Sequence, residues 1–247
     1  MLETLGIVQV RQGNDAVRGK LARRLGGKSL LEWVVRRATD CQRLDGVVVV
    51  LSDSLEDRRL AELVPTDVPV FLGGQRDELA RVSAAFERFP AHAAVNINVA
   101  APFIDPVLID RLVSTAAAHP ASDYISYCAQ IGRPAILSPL GGLAEWFRAK
   151  ALRKADRDAK HAADRDQATR YLYSHPEKFN LRLIPVPPEL DCDDVRLTID
   201  SEEDWELAQT VLEALGPEHL DWQRIAGLLD NQPGLRERMP ELNRAGV

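Results

Sequence analysis

From Leu5 to Ala118 the sequence alternates between short apolar runs rich in β-branched residues and longer segments of helical period. The runs Leu5–Val10, Val47–Leu51, Val68–Leu72 and Ala93–Val99 read as buried strands. Behind them, Ser29-x-x-Glu32 opens a helix on a capping-box signature, with Leu30, Leu31, Val34, Val35 and Ala38 on one face. Leu55–Val64, Glu78–Phe89 and Pro106–Ala118 read as further helices. Strands joined through helices imply right-handed crossovers and a mostly parallel central sheet flanked by helices, an α/β fold. Ligands of open sheets bind at the carboxyl ends of the strands. The segments to watch are therefore 11–28, 52–54, 73–81 and 98–105.

The second half alternates less regularly. Tyr124–Cys128, Leu181–Val186 and Val195–Ile199 read as strands. Leu143–Lys154, Asp164–Tyr173 and Ser201–Leu215 read as helices, the last with Ser201 as N-cap and Asp204 three residues on. The tail from Glu218 reads as two short helices divided by Pro233-Gly234. One domain over 1–247 is expected, with a first half at 1–122, a second at 123–215 and a helical tail at 216–247.

Composition narrows the function classes. The 247 residues carry a net charge of -6, a poor electrostatic match for DNA or RNA, so no nucleic-acid partner is expected. Cys41, Cys128 and Cys192 lie far apart and in no C-x-x-C pair, which suggests neither a disulfide framework nor a zinc site. No apolar run has the length of a transmembrane helix, and the first residues lack a signal-peptide pattern. The expectation is a cytoplasmic protein with no membrane partner. Trp33, Trp146, Trp205 and Trp222 fall on expected helices as packing anchors.

Directly after the first strand comes Gln9-Val10-Arg11-Gln12-Gly13, running on to Arg18-Gly19-Lys20. Glycines there let backbone N–H groups approach phosphate oxygens, and the cations can neutralise a triphosphate. It fits neither G-x-G-x-x-G nor the Walker pattern, and by itself it also reads as a basic surface loop.

In register, this segment resembles the Q-A-R-x-G-S-x-R-L-P-G-K loop of cytidylyltransferases of the spore-coat-polysaccharide type, relatives of the acylneuraminate and 3-deoxy-manno-octulosonate cytidylyltransferases. Leu25-Gly26-Gly27-Lys28 is similar to the family's L-G-G-K. Val70-Phe71-Leu72-Gly73 and Leu79-Ala80-Arg81 are similar to V-F-R-G and L-x-R-Y. Pro102-Phe103-Ile104-Asp105-Pro106 resembles the end of G-D-C-P-L-I-D-P. Arg165 to Tyr173, then His175 to Phe179, resemble R-E-H-V-T-P-Y-I-Y and N-P-E-K-F. Arg196-Leu197-Thr198-Ile199-Asp200 resembles R-L-T-V-D.

The resemblance implies a Rossmann-like nucleotide-diphospho-sugar transferase fold. It implies transfer of CMP from CTP to a sugar or sugar acid in glycan biosynthesis, and a homodimer as in related enzymes. Arg11 and Lys20 would act on the phosphates with help from Arg18. Gln9, Gly13, Gly19, Gly73 and Arg81 would border the nucleotide. Arg133, Arg165, Tyr171 and Arg196 would build the sugar pocket. Asp200 would hold Mg2+, a hard cation that takes carboxylate oxygens; as a bare residue it reads equally as a turn or capping aspartate. Departures fall at this site. Ala100 stands where the family has the aspartate of G-D-C-P, Ala16 replaces an arginine, Arg18 a proline, and Gln167 a histidine. Two rivals follow: a relative that binds a nucleotide or protein without turnover, and a nucleotide-sugar glycosyltransferase, for which Asp191-Cys192-Asp193 supplies the letters of a metal pair.

Overall fold

The computed structural model describes residues 1–10, 18–128, 134–135, 140–141, 143–191 and 195–245. Strand β1 (Leu2–Gln9) is buried from Thr4 onward because helices cover both faces of the sheet. A hairpin of β2 (Arg24–Leu25) and β3 (Lys28–Ser29) follows, turning through Gly26 and Gly27 at φ 58° and 88°. Only glycine takes two consecutive positive φ values at little cost. Ser29 then caps α1 (Leu30–Thr39), its hydroxyl accepting from the Glu32 N–H.

The strand–helix alternation continues through β4 (Gly46–Ser52), α2 (Leu55–Ala61), β5 (Val70–Gly73), α3 (Glu78–Arg88), β6 (Ala91–Asn98), α4 (Pro106–Ala118) and β7 (Tyr124–Cys128). Next come β8 (Glu145–Arg148), α5 (Ala149–Asp158), α6 (Ala162–Arg165), α7 (Arg170–Ser174) and β9 (Leu181–Pro185). The last three helices are α8 (Glu202–Leu215), α9 (Trp222–Asn231) and α10 (Pro233–Ala245). Among the described residues the main sheet has seven strands in the order β5-β4-β1-β6-β8-β7-β9. Only β8 runs antiparallel to its neighbours β6 and β7. The expected Rossmann-like architecture is therefore present.

Alternate residues of one strand feed opposite cores. Val8 and Val49 pack with α1, α4 and α8, while Ile7 and Val48 pack with α3 and α5. The chain winds from β1 to β4 and β5 on one side, then returns to lay β6 against the other side of β1. That reversal opens a crevice at the carboxyl ends of β1 and β6, where Gln9 and Asn98 are register partners.

Three expectations fail. The helix expected over Leu143–Lys154 is strand β8 followed by α5. Glu145-Trp146-Phe147 is a short aromatic run that fits a buried strand, and its period merges with the helix behind it. Trp146 is accordingly a strand residue. The helix expected over Asp164–Tyr173 is two short helices, α6 and α7. Val195–Ile199 joins no sheet; it is extended chain whose Ile199 N–H donates to the Ala100 carbonyl at 2.8 Å. Pro233 opens α10, a position where its missing N–H costs no bond. No helix among the described residues is long and apolar enough to cross a membrane.

Candidate functional site

The crevice is lined by Gln9, Glu78, Asn96, Ile97, Asn98, Glu145, Gln167, Ala168 and Thr169, and is narrow, with a cavity volume of about 30 Å3. Sheet register builds its floor. Asn96 on β6 lies opposite Glu145 on β8, and its Nδ2 donates to Glu145 Oε1 at 2.8 Å. Thr169 Oγ1 donates to the same oxygen at 2.6 Å, and the Tyr124 hydroxyl donates to Oε2 at 2.5 Å. Burial, then the adjacent Glu145, pushes the Tyr124 hydroxyl far above its ordinary pKa, so it remains a donor. Since Asn96 Nδ2 is fixed by Glu145, its Oδ1 is the atom left inside without a donor.

Gln9, 3% exposed, donates from Nε2 to Glu78 Oε2 at 3.1 Å. Glu78 opens α3 behind the N-cap Asp77. Arg81, one turn along α3, is 2% exposed and lies 3.7 Å from Glu78. Its Nη1 donates to the carbonyls of Gly74 and Gln75, while Nε and Nη2 have no hydrogen-bond acceptor. Burial lowers its pKa, and Glu78 counters the shift. Gly73 must lack a side chain here, because a Cβ would meet Arg81 Cγ at 2.9 Å and Phe71 Cε1 at 2.8 Å.

On the other flank, Arg18-Gly19-Lys20 turns over the end of the sheet. Arg18 Nη2 sits 2.6 Å from Oδ1 of the wholly buried Asp57. Lys20 Nζ donates to the Asp200 carbonyl at 3.5 Å, joining segments 180 residues apart in sequence. The Ile199–Ala100 bond sets Asp200 next to the loop that begins at Asn98. The Asn98 Oδ1 accepts from the Ala100 N–H at 3.0 Å and so shapes that loop.

Three of the four expected sugar-pocket residues, Arg165, Tyr171 and Arg196, have protein partners of their own. Arg196 forms a two-bond clamp on Asp204, with Nε to Oδ1 at 2.6 Å and Nη2 to Oδ2 at 2.9 Å. Arg165 bonds Asp77 at 2.6 Å and also Asp156. Tyr171 is buried against His175 and Phe179, and its hydroxyl accepts from Lys178. Arg11, Gly13 and Arg133 lie outside the described residues, as does Asp193. The sequence did not single out Glu78, Asn96 or Glu145. Glu145 becomes visible once 145–148 is read as a strand beside Asn96.

Asp200 Oδ2 accepts from Arg196 Nη2 at 3.1 Å and from Thr198 Oγ1 at 3.0 Å. Residue 100 offers only a methyl group, and its carbonyl is taken by Ile199. Among the described residues no three acidic, histidine or cysteine side chains group as a metal site. These donors do not fit a metal held by the protein alone.

The sequence pattern of the cytidylyltransferase family matches residues 5–220. The spore coat polysaccharide biosynthesis protein SpsF of Bacillus subtilis is 28% identical over 222 residues, covering 87% of this chain and 89% of its own. The structure of a cytidylyltransferase from Leptospira borgpetersenii superposes with a TM-score of 0.83 at 23% identity, covering 95% of this chain and 97% of its own. The CMP:2-keto-3-deoxy-manno-octonic acid synthetase complexed with CTP superposes at 0.65 and 15% identity, covering 86% and 99%. The two structures show the shared fold.

Proposed function

The chain belongs to the cytidylyltransferase family and is thereby a nucleotidyltransferase enzyme; from that premise we propose that it transfers CMP from CTP to a sugar hydroxyl in glycan biosynthesis. The hydroxyl oxygen forms a bond to the α-phosphorus, the bond from that phosphorus to the β-bridging oxygen breaks, pyrophosphate leaves, and the hydroxyl proton passes to water. The observation that carries the reading is the meeting of Lys20 with the Asp200 carbonyl, just past the Ile199–Ala100 bond that sets this segment against the loop after β6. A lysine there neutralises charge on a triphosphate and its leaving group.

In this reading Lys20 acts on the phosphates together with Arg11. Gly13 and Gly19 allow backbone approach, and Arg18, held by Asp57, shapes the loop. Gln9, Gly73 and Arg81 border the nucleotide, and a base carbonyl beside residues 73–77 would supply the acceptor that Arg81 lacks. A cytoplasmic location and a homodimer belong to the same proposal. Mg2+ held by Asp200 together with the triphosphate oxygens belongs to it as well, since among the described residues no second carboxylate joins Asp200 to hold a cation by protein groups alone.

Ala100 favours a second reading, a relative that binds nucleotide without turnover. Phosphorus-31 spectra of CTP with a sugar panel separate the two. Pyrophosphate with a new phosphodiester resonance supports transfer; bound CTP with no pyrophosphate from any sugar supports the second reading.

A further inference from the structure

We propose that the protein carries a second anion site, at the end of the sheet away from the crevice, and that it binds a phosphorylated small molecule. A cavity of about 370 Å3 lies there, a volume within the range of small-ligand sites. It opens where β1 and β6 begin, with Leu2 paired to Ala91, and where β8 passes into α5 at Arg148. The cavity is distinct from the crevice. Strand β6 runs from Ala91 in the one to Asn98 in the other, about 23 Å at ~3.3 Å per residue.

Charge at this cavity runs against the rest of the chain, whose net charge is -6. Arg148, Lys150 and Arg153 line it beside one carboxylate, Glu3, which lies 4.0 Å from His92. Arg148 is held in place: its Nε donates to the Ser122 carbonyl at 3.1 Å and its Nη2 to the Pro120 carbonyl at 2.5 Å, which leaves Nη1 over. Lys150 and Arg153 stand three residues apart on one face of α5, and among the described residues neither has an ion-pair partner. That placement opposes folding. Arg148 is the N-cap of α5 and Lys150 its second residue, so the cations gather at the positive end of the helix dipole, with no acid in the first turn to offset them. Arg148 makes no side-chain cap either, so the first N–H groups of α5 lack that acceptor. A phosphate group would relieve the repulsion and accept from the open N–H groups at once. Cations collected where local electrostatics oppose them are a departure of the kind that binding sites show.

The test titrates the whole protein with pyrophosphate and with glucose 1-phosphate and follows backbone amide shifts by NMR. The amides of 91–92 and 149–153 are expected to shift. Lys150→Gln combined with Arg153→Gln should weaken that response about tenfold or more. Lys20→Met should leave it intact, which separates this cavity from the crevice. Tighter binding of pyrophosphate assigns the site to a polyphosphate, and tighter binding of glucose 1-phosphate to a sugar phosphate; either supports it. In phosphate-free buffer Lys150→Glu should melt higher than the parent, because the start of α5 exchanges a cation for an anion. Three results overturn the inference. One is unshifted amides at 149–153 up to about 10 mM of either probe. Another is equal binding by the parent and the double variant, or loss of the response in Lys20→Met. The third is a lower melting temperature for Lys150→Glu, which would mean that Lys150 already has its counter-charge within the protein.

Discussion

Arg18 reaches Asp57: its Nη2 lies 2.6 Å from Oδ1 of a carboxylate with no exposed surface. The other carboxylate oxygen accepts from the Ser52 N–H and hydroxyl, so Asp57 ties the loop that carries Lys20 to the end of β4. Removing one member of a buried pair costs about 3 kcal/mol, because the other is left charged without a partner. Arg18→Gln should lose about that much in urea unfolding. Adding Asp57→Asn to Arg18→Gln should then cost far less than Asp57→Asn alone. Equal, additive losses would show that the pair is not coupled.

The clamp of Arg196 on Asp204 predicts a dependence on acid. Burial alone would raise the Asp204 pKa, but the bonds from Arg196 and from the Ser201 and Asp200 N–H groups outweigh it and hold it below the ordinary value. A carboxylate lowered on folding adds stability above its unfolded pKa, near 4, and loses it as pH falls through the folded value. The urea midpoint should therefore fall below about pH 4 in the parent and fall less in Asp204→Asn. Parallel pH curves for the two proteins would contradict this.

Gly141 has φ +67°, and a Cβ there would lie 2.7 Å from the Leu197 carbonyl carbon. Both strain and backbone contact oppose any side chain. Gly141→Ala should destabilise by about 2 kcal/mol or more and weaken CTP binding by displacing the Thr198–Asp200 segment. Unchanged thermal stability would mean that this approach is not tight.

Ala100→Asp places a carboxylate beside Asp200 at a buried position. The variant should melt lower than the parent without metal and recover on adding Mg2+ or Mn2+. A parent-like response to metal would show that residue 100 is not the missing ligand.

Much of this was legible in the sequence. The expected ranges of α4 and β7 are the observed ones, and β1, α1, β4, α3 and α8 differ only at their ends, because cap residues and apolar period agree there. Strand β8 was hidden because four residues of strand run straight into α5, so two periods blur. Val195–Ile199 has strand composition, but its partners are Ala100, Asp204 and Met239 rather than a neighbouring strand. At the site, the positions of Gln9, Lys20 and Asp200 followed from ordered resemblance to known motifs. Glu145 and Asn96 required the strand order, since they are 49 residues apart and meet only through β6–β8 pairing. That Arg165 and Arg196 serve internal ion pairs depends on distances no linear pattern records.

The most direct measurement is calorimetric titration with CTP, ATP, GTP and UTP, on the parent and on Lys20→Met, each with and without Mg2+. CTP-selective binding that weakens at least tenfold in Lys20→Met is the predicted result. Equal binding of all four nucleotides, or none by any, would contradict a CTP-dependent transferase built around this crevice.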